Sequence, residues 1–155
     1  MTENNQQLAV VANDIAPAEL VDSLKNSSTT MYCSIVNTGD RKSQIKIYNA
    51  INSAEEQLAD HIGEVLEVVD VVAHPVELID EVTGQVFKAL RTVLITKDGK
   101  GYSATSQGVT SALSKIFSIV GMPDGGAWHA EPVKMKIKQV KTRNGNNKVN
   151  TIELV

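Results

Sequence analysis

The sequence predicts a mainly β protein with a few short helices, and three observations support this prediction. Residues 65–73 and 86–96 are long, β-branched, apolar runs with the composition of strands. The Asp98-Gly99 and Asn144-Gly145 pairs are typical of tight hairpins, because these dipeptides accept the positive φ angles of type I′ turns. An apolar stripe at helical spacing, from Val109 to Val120, indicates one amphipathic helix.

The first third of the chain predicts an extension that precedes the main domain. Residues 1–13 are polar and rich in Asn and Gln, which indicates a mobile tail. Residues 14–25 have the apolar spacing of a short helix, and residues 31–36 and 44–51 have the pattern of a β-hairpin joined by a turn at 37–41. Ser53 and Glu56 have the spacing of a capping box, which predicts a second helix that runs to His61.

The later elements follow the order of three strands, one helix and two strands. The first strand covers residues 65–80 with a break or bend at His74-Pro75, and the remaining elements are strands at 86–96 and 101–105, a helix from about 106 to 120 that ends at Gly121, and strands at 133–140 and 149–154. This is the order of the OB-fold, a five-stranded Greek-key barrel with its helix between strands 3 and 4. We therefore predict one domain over residues 14–155, with a helix-and-hairpin extension at 14–62 and the barrel core at 63–155.

Charge is distributed unevenly along the chain, although its net charge is only -3. Residues 1–84 carry fourteen acidic and four basic side chains, whereas residues 85–155 carry four acidic and eleven basic ones. Such asymmetry is typical of a protein that meets a polyanion through one face. The hypothesis that follows is nucleic-acid binding by the later strands.

Lysines alternate with apolar residues in the strand that begins at Val133. The two-residue period of a strand would place Lys134, Lys136 and Lys138 on one side of the sheet, about 6.5 Å apart. That spacing resembles the phosphate spacing of an extended single strand. A solvated sheet face, kept soluble by lysine and protected from edge-to-edge pairing, explains the same pattern.

The candidate nucleic-acid-binding residues are cations on strands and hairpins together with a few aromatic and polar side chains. They are Tyr48, Lys88, Arg91, Lys97, Lys100, Tyr102, Gln107, Trp128, Lys134, Lys136, Lys138, Lys141, Arg143 and Lys148. Cations release counterions from phosphate, and aromatic faces stack on bases. Tyr102 is the first stacking candidate and Trp128 the second, whereas Phe87 and Phe117 are predicted to be core residues.

Other functional classes receive no support from the sequence. Cys33 is the only cysteine, which excludes an internal disulfide and a cysteine-based zinc site. The three histidines are far apart, and motifs of catalysis or phosphate-loop binding do not occur, so we expect no enzyme activity, cofactor or metal. Neither a signal peptide nor an apolar run long enough to span a bilayer is evident, so we expect a cytoplasmic protein without a membrane partner.

The block from Lys100 to Pro132 resembles phage-type single-stranded DNA-binding proteins. The resemblance rests on Lys100-Gly-Tyr102-Ser, Gln107-Gly-Val before the helix, Gly121-Met-Pro after it, and the segment from Trp128 to the Lys134-Met-Lys strand. It covers about the C-terminal two thirds of the chain and implies an OB-fold core that binds and protects single-stranded DNA during phage or mobile-element replication and recombination. It also highlights Lys100, Tyr102, Gln107, Gly108 and Trp128.

Single-stranded DNA is therefore the expected partner, and in a virus the host cytoplasm is the expected place. The acidic first half is compatible with repelling DNA from one face or with docking a neighbouring subunit, and replication or recombination proteins are further candidate partners. Two alternatives stay open. One is a virion or assembly protein whose strands make subunit contacts, and the other is an OB module that binds RNA or a protein.

Overall fold

A computed structural model describes residues 31–155 apart from residues 53 and 146, and within these ranges the protein is mainly β. The strands are β1 Tyr32–Cys33, β2 Glu56–Gln57, β3 Val65–Ile79, β4 Val86–Thr96, β5 Gly101–Ala104, β6 Val133–Lys141 and β7 Lys148–Leu154. The helices are α1 Arg41–Asn52, α2 Gln107–Val120 and the one-turn α3 Ala127–Ala130, with 3₁₀ turns at Leu58–His61 and Asp124–Gly126. The predicted tail at 1–13 and helix at 14–25 lie outside the described residues.

All seven strands belong to one curled sheet in the order β2-β5-β4-β3-β6-β7, with β1 paired to β3. The sheet is antiparallel except where β2 pairs with β5. β3 pairs with β4 along most of its length, with β6 at its beginning and with β1 near Ala73. The register shifts between Val68 and Asp70, and this bulge lets β3 curl.

Each face of the sheet is covered by a helix. On the inner face, the apolar side of α2 packs with strand residues such as Val71, Leu94 and Ile137 in the main core. On the outer face, Ala50 of α1 packs in a smaller cluster with residues that include Val72. α1 therefore occupies part of the sheet surface that an uncovered barrel would present to solvent.

The predicted strand at residues 44–51 is wrong, because these residues lie in α1. Asp40 accepts hydrogen bonds from the hydroxyl of Ser43 at 2.5 Å, from the hydroxyl of Thr38 at 2.8 Å and from the backbone N–H of Ser43 at 3.1 Å. These bonds lower the pKa of Asp40 to about 2 and satisfy a donor of the first helical turn. The turn predicted at residues 37–41 thus leads into α1. The strand predicted at residues 31–36 is reduced to β1, Tyr32–Cys33.

Two smaller predictions near this region also need correction. The capping box predicts a helix up to His61, but residues 56–57 form β2 and only Leu58–His61 make a 3₁₀ turn. The bend predicted at His74-Pro75 is absent, since β3 continues through both residues. Pro75 lies where only β4 still pairs with β3, so its missing N–H is tolerated at an unpaired strand edge.

The later elements match the sequence pattern closely. β4 has the predicted bounds, and α2 ends where Gly121 adopts a φ of 100° and donates its N–H to the Phe117 carbonyl at 3.1 Å. The Asp98-Gly99 turn joins β4 to β5, and β6 and β7 form the last hairpin. The succession of three strands, helix and two strands is therefore confirmed.

Candidate nucleic-acid interface

A cleft of about 390 Å³ opens between the start of β3, the β4–β5 turn and β6. It is lined by Val65, Leu66, Glu67, Thr96, Lys97, Asp98, Tyr102 and Lys134. Three of the residues predicted from the sequence, Lys97, Tyr102 and Lys134, thus meet here, although Lys134 is distant along the chain from the other two. The cleft combines two cations, two acidic residues, and apolar and aromatic groups within one opening.

Hydrogen bonds fix the β4–β5 turn at the rim of this cleft. The Lys97 N–H donates to the Glu67 carbonyl at 3.0 Å, and the Thr96 N–H donates to the Lys100 carbonyl at 3.0 Å. Gly99 has a φ of 90°, which a residue with a side chain rarely adopts. The turn therefore holds Lys97 and Lys100 at the mouth of the cleft with little backbone freedom.

Two acidic residues, Glu67 and Asp98, also line the cleft, so they balance its two lysines in formal charge. The Glu67 carboxylate forms an ion pair with Lys97, and the backbone position of Glu67 is directly opposite Lys134 across the β3–β6 pair. Because the Lys97 side chain is mostly exposed, this ion pair contributes little to stability. The ion pair with Glu67 leaves Lys97 at the cleft, which Lys134 also lines.

Tyr102 forms the inner wall of the cleft and is only 8% exposed. Its ring stands edge-on to the His61 ring, with centroids 4.9 Å apart and planes at 88°. His61 Nε2 lies 3.1 Å from a Glu56 oxygen and its Nδ1 contacts Glu64, so these carboxylates raise the pKa of His61. Tyr102 is therefore a firmly supported wall residue that presents only an edge of its ring, so its prediction as the first stacking candidate does not fit its burial.

The lysines of β6 alternate as predicted with the buried side chains of Met135 and Ile137. Lys136 is opposite Glu153 on β7, and the Lys138 ammonium lies 3.5 Å from a Glu153 oxygen. The row thus continues from Lys134 at the cleft toward the last hairpin. Glu153 balances part of its charge at the far end.

Lys141, Arg143 and Lys148 cluster at the end of the β6–β7 hairpin. Lys141 is directly opposite Lys148, and all three side chains are exposed. Among the described residues none of the three forms an ion pair. Like charges directly opposite each other in a sheet are unfavourable, so this hairpin end gains from an anionic partner.

Arg91 has a structural role and does not line the cleft. One guanidinium nitrogen donates to the carbonyl of Ile51 at 2.6 Å and to that of Ala50 at 3.4 Å, and it lies 3.2 Å from His74 Nε2. Arg91 therefore satisfies carbonyls at the end of α1 and fastens this helix to β4. Arg91 is a DNA-binding candidate in the sequence because the sequence does not show that α1 partly covers it.

Burial reverses the predicted roles of two aromatic residues. Trp128 is 3% exposed and packs against Phe117 with ring centroids 5.9 Å apart, so it has no face free for a base. Phe117 is buried as predicted, whereas Phe87, predicted as a core residue, is 48% exposed near the beginning of β4. The prediction of Trp128 as a stacking platform does not fit its burial.

The remaining candidates lie on three separate elements. Tyr48 is exposed on α1 rather than on a strand, Lys88 is exposed on β4 opposite Glu77, and Gln107 is the exposed first residue of α2. Gly108 follows Gln107 at a close contact, where a Cβ atom would overlap the carbonyl oxygen of Asn150 on β7. Gly108 thus permits close packing of α2 on β7.

The cationic surface of α1 was not predicted from the sequence. Arg41, Lys42 and Lys46 are all exposed, and this helix contains no acidic residue. Tyr48 is exposed on the same helix but lies nearly opposite Lys46 around the helix axis. The Asp40-to-Ser43 spacing, which is that of a helix N-cap, is the signal that could have revealed this surface.

The described part of the chain contains no cluster of His, Cys, Asp or Glu that could hold a metal ion. None of its helices combines the length and apolar character needed to cross a membrane.

Comparisons with known proteins identify the family of this chain. The family model described as phage single-stranded DNA-binding protein matches residues 26–154. A single-stranded DNA-binding protein of Bacillus phage GA-1 is 29% identical over 106 residues, which cover 66% of this chain and 61% of that protein. No solved structure matches the chain. Since the family model spans most of the sequence, the chain belongs to the phage single-stranded DNA-binding protein family.

Proposed function

We propose that the protein binds single-stranded DNA with little sequence preference, at the cleft between β3, the β4–β5 turn and β6. The observation that carries this proposal is the convergence of Lys97, Lys134 and Tyr102 in that cleft. The lysines supply charge for phosphate, which gives affinity without reading sequence, and the exposed edge of Tyr102 adds an apolar contact.

The DNA path continues from the cleft over neighbouring cations. Lys100 and Lys136 flank the cleft along the β4–β5 turn and β6, and each lies on an element that also lines it. Lys42 and Lys46, four residues apart on one exposed side of α1, extend the path on the outer side of the sheet. Contacts to phosphate set affinity and its salt dependence without distinguishing bases.

The scaffold of this site is an OB-fold barrel over residues 63–155, with residues 14–62 as an extension. The order of elements and the pairing of β4 with β3 and β5, and of β6 with β3 and β7, support this assignment. OB-folds bind oligonucleotides on a sheet face and on hairpin loops. The β4–β5 turn and the β6–β7 hairpin correspond to such loops.

The biological role that fits this activity is protection of single-stranded DNA in phage replication and recombination, in the cytoplasm of the host cell. The name of the GA-1 relative supports the DNA ligand. Protection requires binding alone, so we assign the protein no catalytic step and no cofactor.

A titration of a fluorescently labelled oligo-dT, followed by anisotropy at two salt concentrations, tests the proposal. We expect saturable binding that weakens as salt increases, with weaker binding to duplex DNA of equal length. Competition with an oligo-U of the same length distinguishes DNA from RNA as the preferred ligand. Absence of saturable binding to oligo-dT at low salt would disprove the proposal.

A further inference from the structure

His61 lies directly behind the wall of the cleft. Its ring stands edge-on to the Tyr102 ring, with centroids 4.9 Å apart, and Tyr102 lines the cleft. Glu56 is the partner of Tyr102 across the β2–β5 pair, and one Glu56 oxygen lies 3.1 Å from His61 Nε2. The other ring nitrogen, Nδ1, contacts a carboxylate oxygen of Glu64, which directly precedes the cleft residue Val65. The back of the cleft therefore holds a titratable ring between two carboxylates.

The contacts of the two ring nitrogens require a proton on each. A carboxylate accepts hydrogen bonds but donates none, and a neutral imidazole has a single N–H. Only the imidazolium form of His61 donates to Glu56 and Glu64 at once. Hydrogen bonds to these two carboxylates also raise the pKa of His61, because they favour its charged form. The geometry of the cluster is therefore that of protonated His61.

Loss of the His61 proton changes both the charge and the contacts behind the cleft. Protonated His61 offsets one of the two carboxylates, whereas neutral His61 offsets neither. A neutral ring also turns a lone pair toward one carboxylate, so one of the two hydrogen bonds is lost. Glu64 is the freer partner, because its side chain is 58% exposed and that of Glu56 is 38% exposed. The released Glu64 carboxylate then adds negative charge beside Val65 at the cleft.

Other charged groups surround the 3₁₀ turn Leu58–His61, which contacts β2, β5 and β6. Besides the two glutamates, the titratable groups on this turn, on the β4–β5 turn and on the neighbouring strands are Asp60, Asp98, Lys100, Tyr102, Lys136 and Lys138. Among these residue types, histidine alone has an ordinary pKa between about 5 and 8. A change of charge at the cleft near neutral pH is therefore a change at His61.

We infer that protonated His61 is a positioning residue for single-stranded DNA at the cleft, and that its proton and the DNA bind cooperatively. This inference rests on the proposed function, since it concerns phosphate at Lys97 and Lys134. The imidazolium holds the Glu64 carboxylate away from the cleft and reduces the repulsion between the two glutamates and the phosphates. By reciprocity, bound DNA makes the proton of His61 harder to remove.

The affinity for oligo-dT should therefore decrease as pH rises. The pKa of His61 is raised above its ordinary value of about 6.5, so the high affinity is present below pH 6.5 and is lost as pH rises through the raised pKa. One unit charge about 10 Å from a phosphate in water changes affinity about twofold, and a less polar path increases the effect, so we expect a loss of about two- to fivefold.

Anisotropy of labelled oligo-dT at constant salt, measured from pH 6 to pH 9, tests this dependence. His61→Gln keeps an N–H donor but cannot change its charge, so it should bind at every pH about as weakly as the unmodified protein does at pH 9. His129→Gln is the matched control, because His129 contacts Asp70 and neither residue lines the cleft. This control should keep the full dependence on pH.

The acidic partners supply a second pair of variants. Glu64→Gln removes a carboxylate that favours the imidazolium, so it should increase affinity at pH 9 and move the midpoint of the pH profile to lower pH. Asp60→Asn removes the same charge from the 3₁₀ turn, but Asp60 contacts neither ring nitrogen and its loss should leave the midpoint unchanged. Circular dichroism at each pH verifies that all variants are folded, since a purely structural cluster would affect folding and not the affinity of the folded protein.

NMR titration of the His61 ring protons, with and without oligo-dT, measures the cooperativity directly. Bound DNA should raise the pKa of His61 by the logarithm of the affinity ratio between low and high pH. The inference is overturned if DNA leaves this pKa unchanged, or if the unmodified protein and His61→Gln share one pH profile while both stay folded. Saturable binding with either result rejects the inference alone, whereas absence of binding at every pH rejects the proposed function together with it.

Discussion

The salt dependence of DNA binding gives the sharpest test of the cleft. Removing the ammonium groups of Lys134 and Lys136 by a double substitution to alanine should lower affinity and flatten its dependence on salt. Neither side chain has an ion-pair partner among the described residues, so its loss leaves no unpaired acid in that part of the chain. The change therefore reports on DNA contacts more than on stability.

The magnitude follows from the number of lysines at the cleft. If Lys97, Lys100, Lys134 and Lys136 each contact one phosphate, the slope of log affinity against log salt is about −2.8, at about 0.7 per contact to a single strand. The double variant retains about half of that slope, about −1.4. Between 50 and 200 mM salt the unmodified protein should lose about 50-fold in affinity and the double variant about sevenfold.

Anisotropy of labelled oligo-dT, titrated at four or more salt concentrations, measures both slopes. Lys115→Ala removes an exposed lysine of α2 that lies outside the cleft and should leave the slope unchanged. The cleft lysines do not contact phosphate if the double variant keeps the full slope, or if Lys115→Ala flattens the slope equally.

Three further predictions concern contacts that position the site. Gly108→Ala should destabilise the protein by about 1 kcal/mol or more in urea, because overlap with the Asn150 carbonyl outweighs the gain in helix propensity; a more stable variant would contradict the close packing. Arg91→Met should cost about 1–3 kcal/mol of stability, through lost hydrogen bonds at the end of α1, and leave the salt slope of DNA binding unchanged; a flatter slope would return Arg91 to the DNA interface. Glu56 and Glu64 raise the pKa of His61. The stability that these two carboxylates give to protonated His61 is therefore present below the ordinary histidine pKa of about 6.5 and is lost as pH rises through the raised pKa. The unfolding midpoint should therefore fall between pH 6 and pH 8 by more in the unmodified protein than in His61→Gln, and equal falls would refute this role.

The later elements could be predicted because their signals are local. The Asp98-Gly99 turn, the apolar stripe of α2 and Gly121 each determine a boundary with residues that are neighbours in sequence. Alternation in β6 likewise placed its lysines on the side opposite Met135 and Ile137. Periodicity sufficed wherever an element buries one face.

The predictions for the earlier elements were wrong where the strand pattern and the helix pattern fit the same residues. Residues 44–51 alternate like a strand, but Ile47, Ala50 and Ile51 also have helical spacing, and the hydrogen bonds of Asp40 at the helix start favour the helix. Tertiary packing decided the outcome, and a single sequence does not display it.

The candidate site was predictable by residue type and less so by accessibility. The sequence identified Lys97, Tyr102 and Lys134, which meet at the cleft. It could not show that Trp128 fills the core, that Arg91 holds α1, or that Phe87 is exposed, because each depends on an element distant in sequence.

The position of β3 between β4, β6 and β1 has a consequence for how the molecule opens. Its amides near Val71 and Val72 are enclosed by partners on both sides, so they should exchange with deuterium only when the whole domain unfolds. Amides of residues 76–79 and 86–89 of β3 and β4, and of residues 139–141 and 148–150 of β6 and β7, have strand partners on one side only and should exchange through local fraying. A protein built in this way can rearrange its hairpins around a ligand while its central strand remains intact.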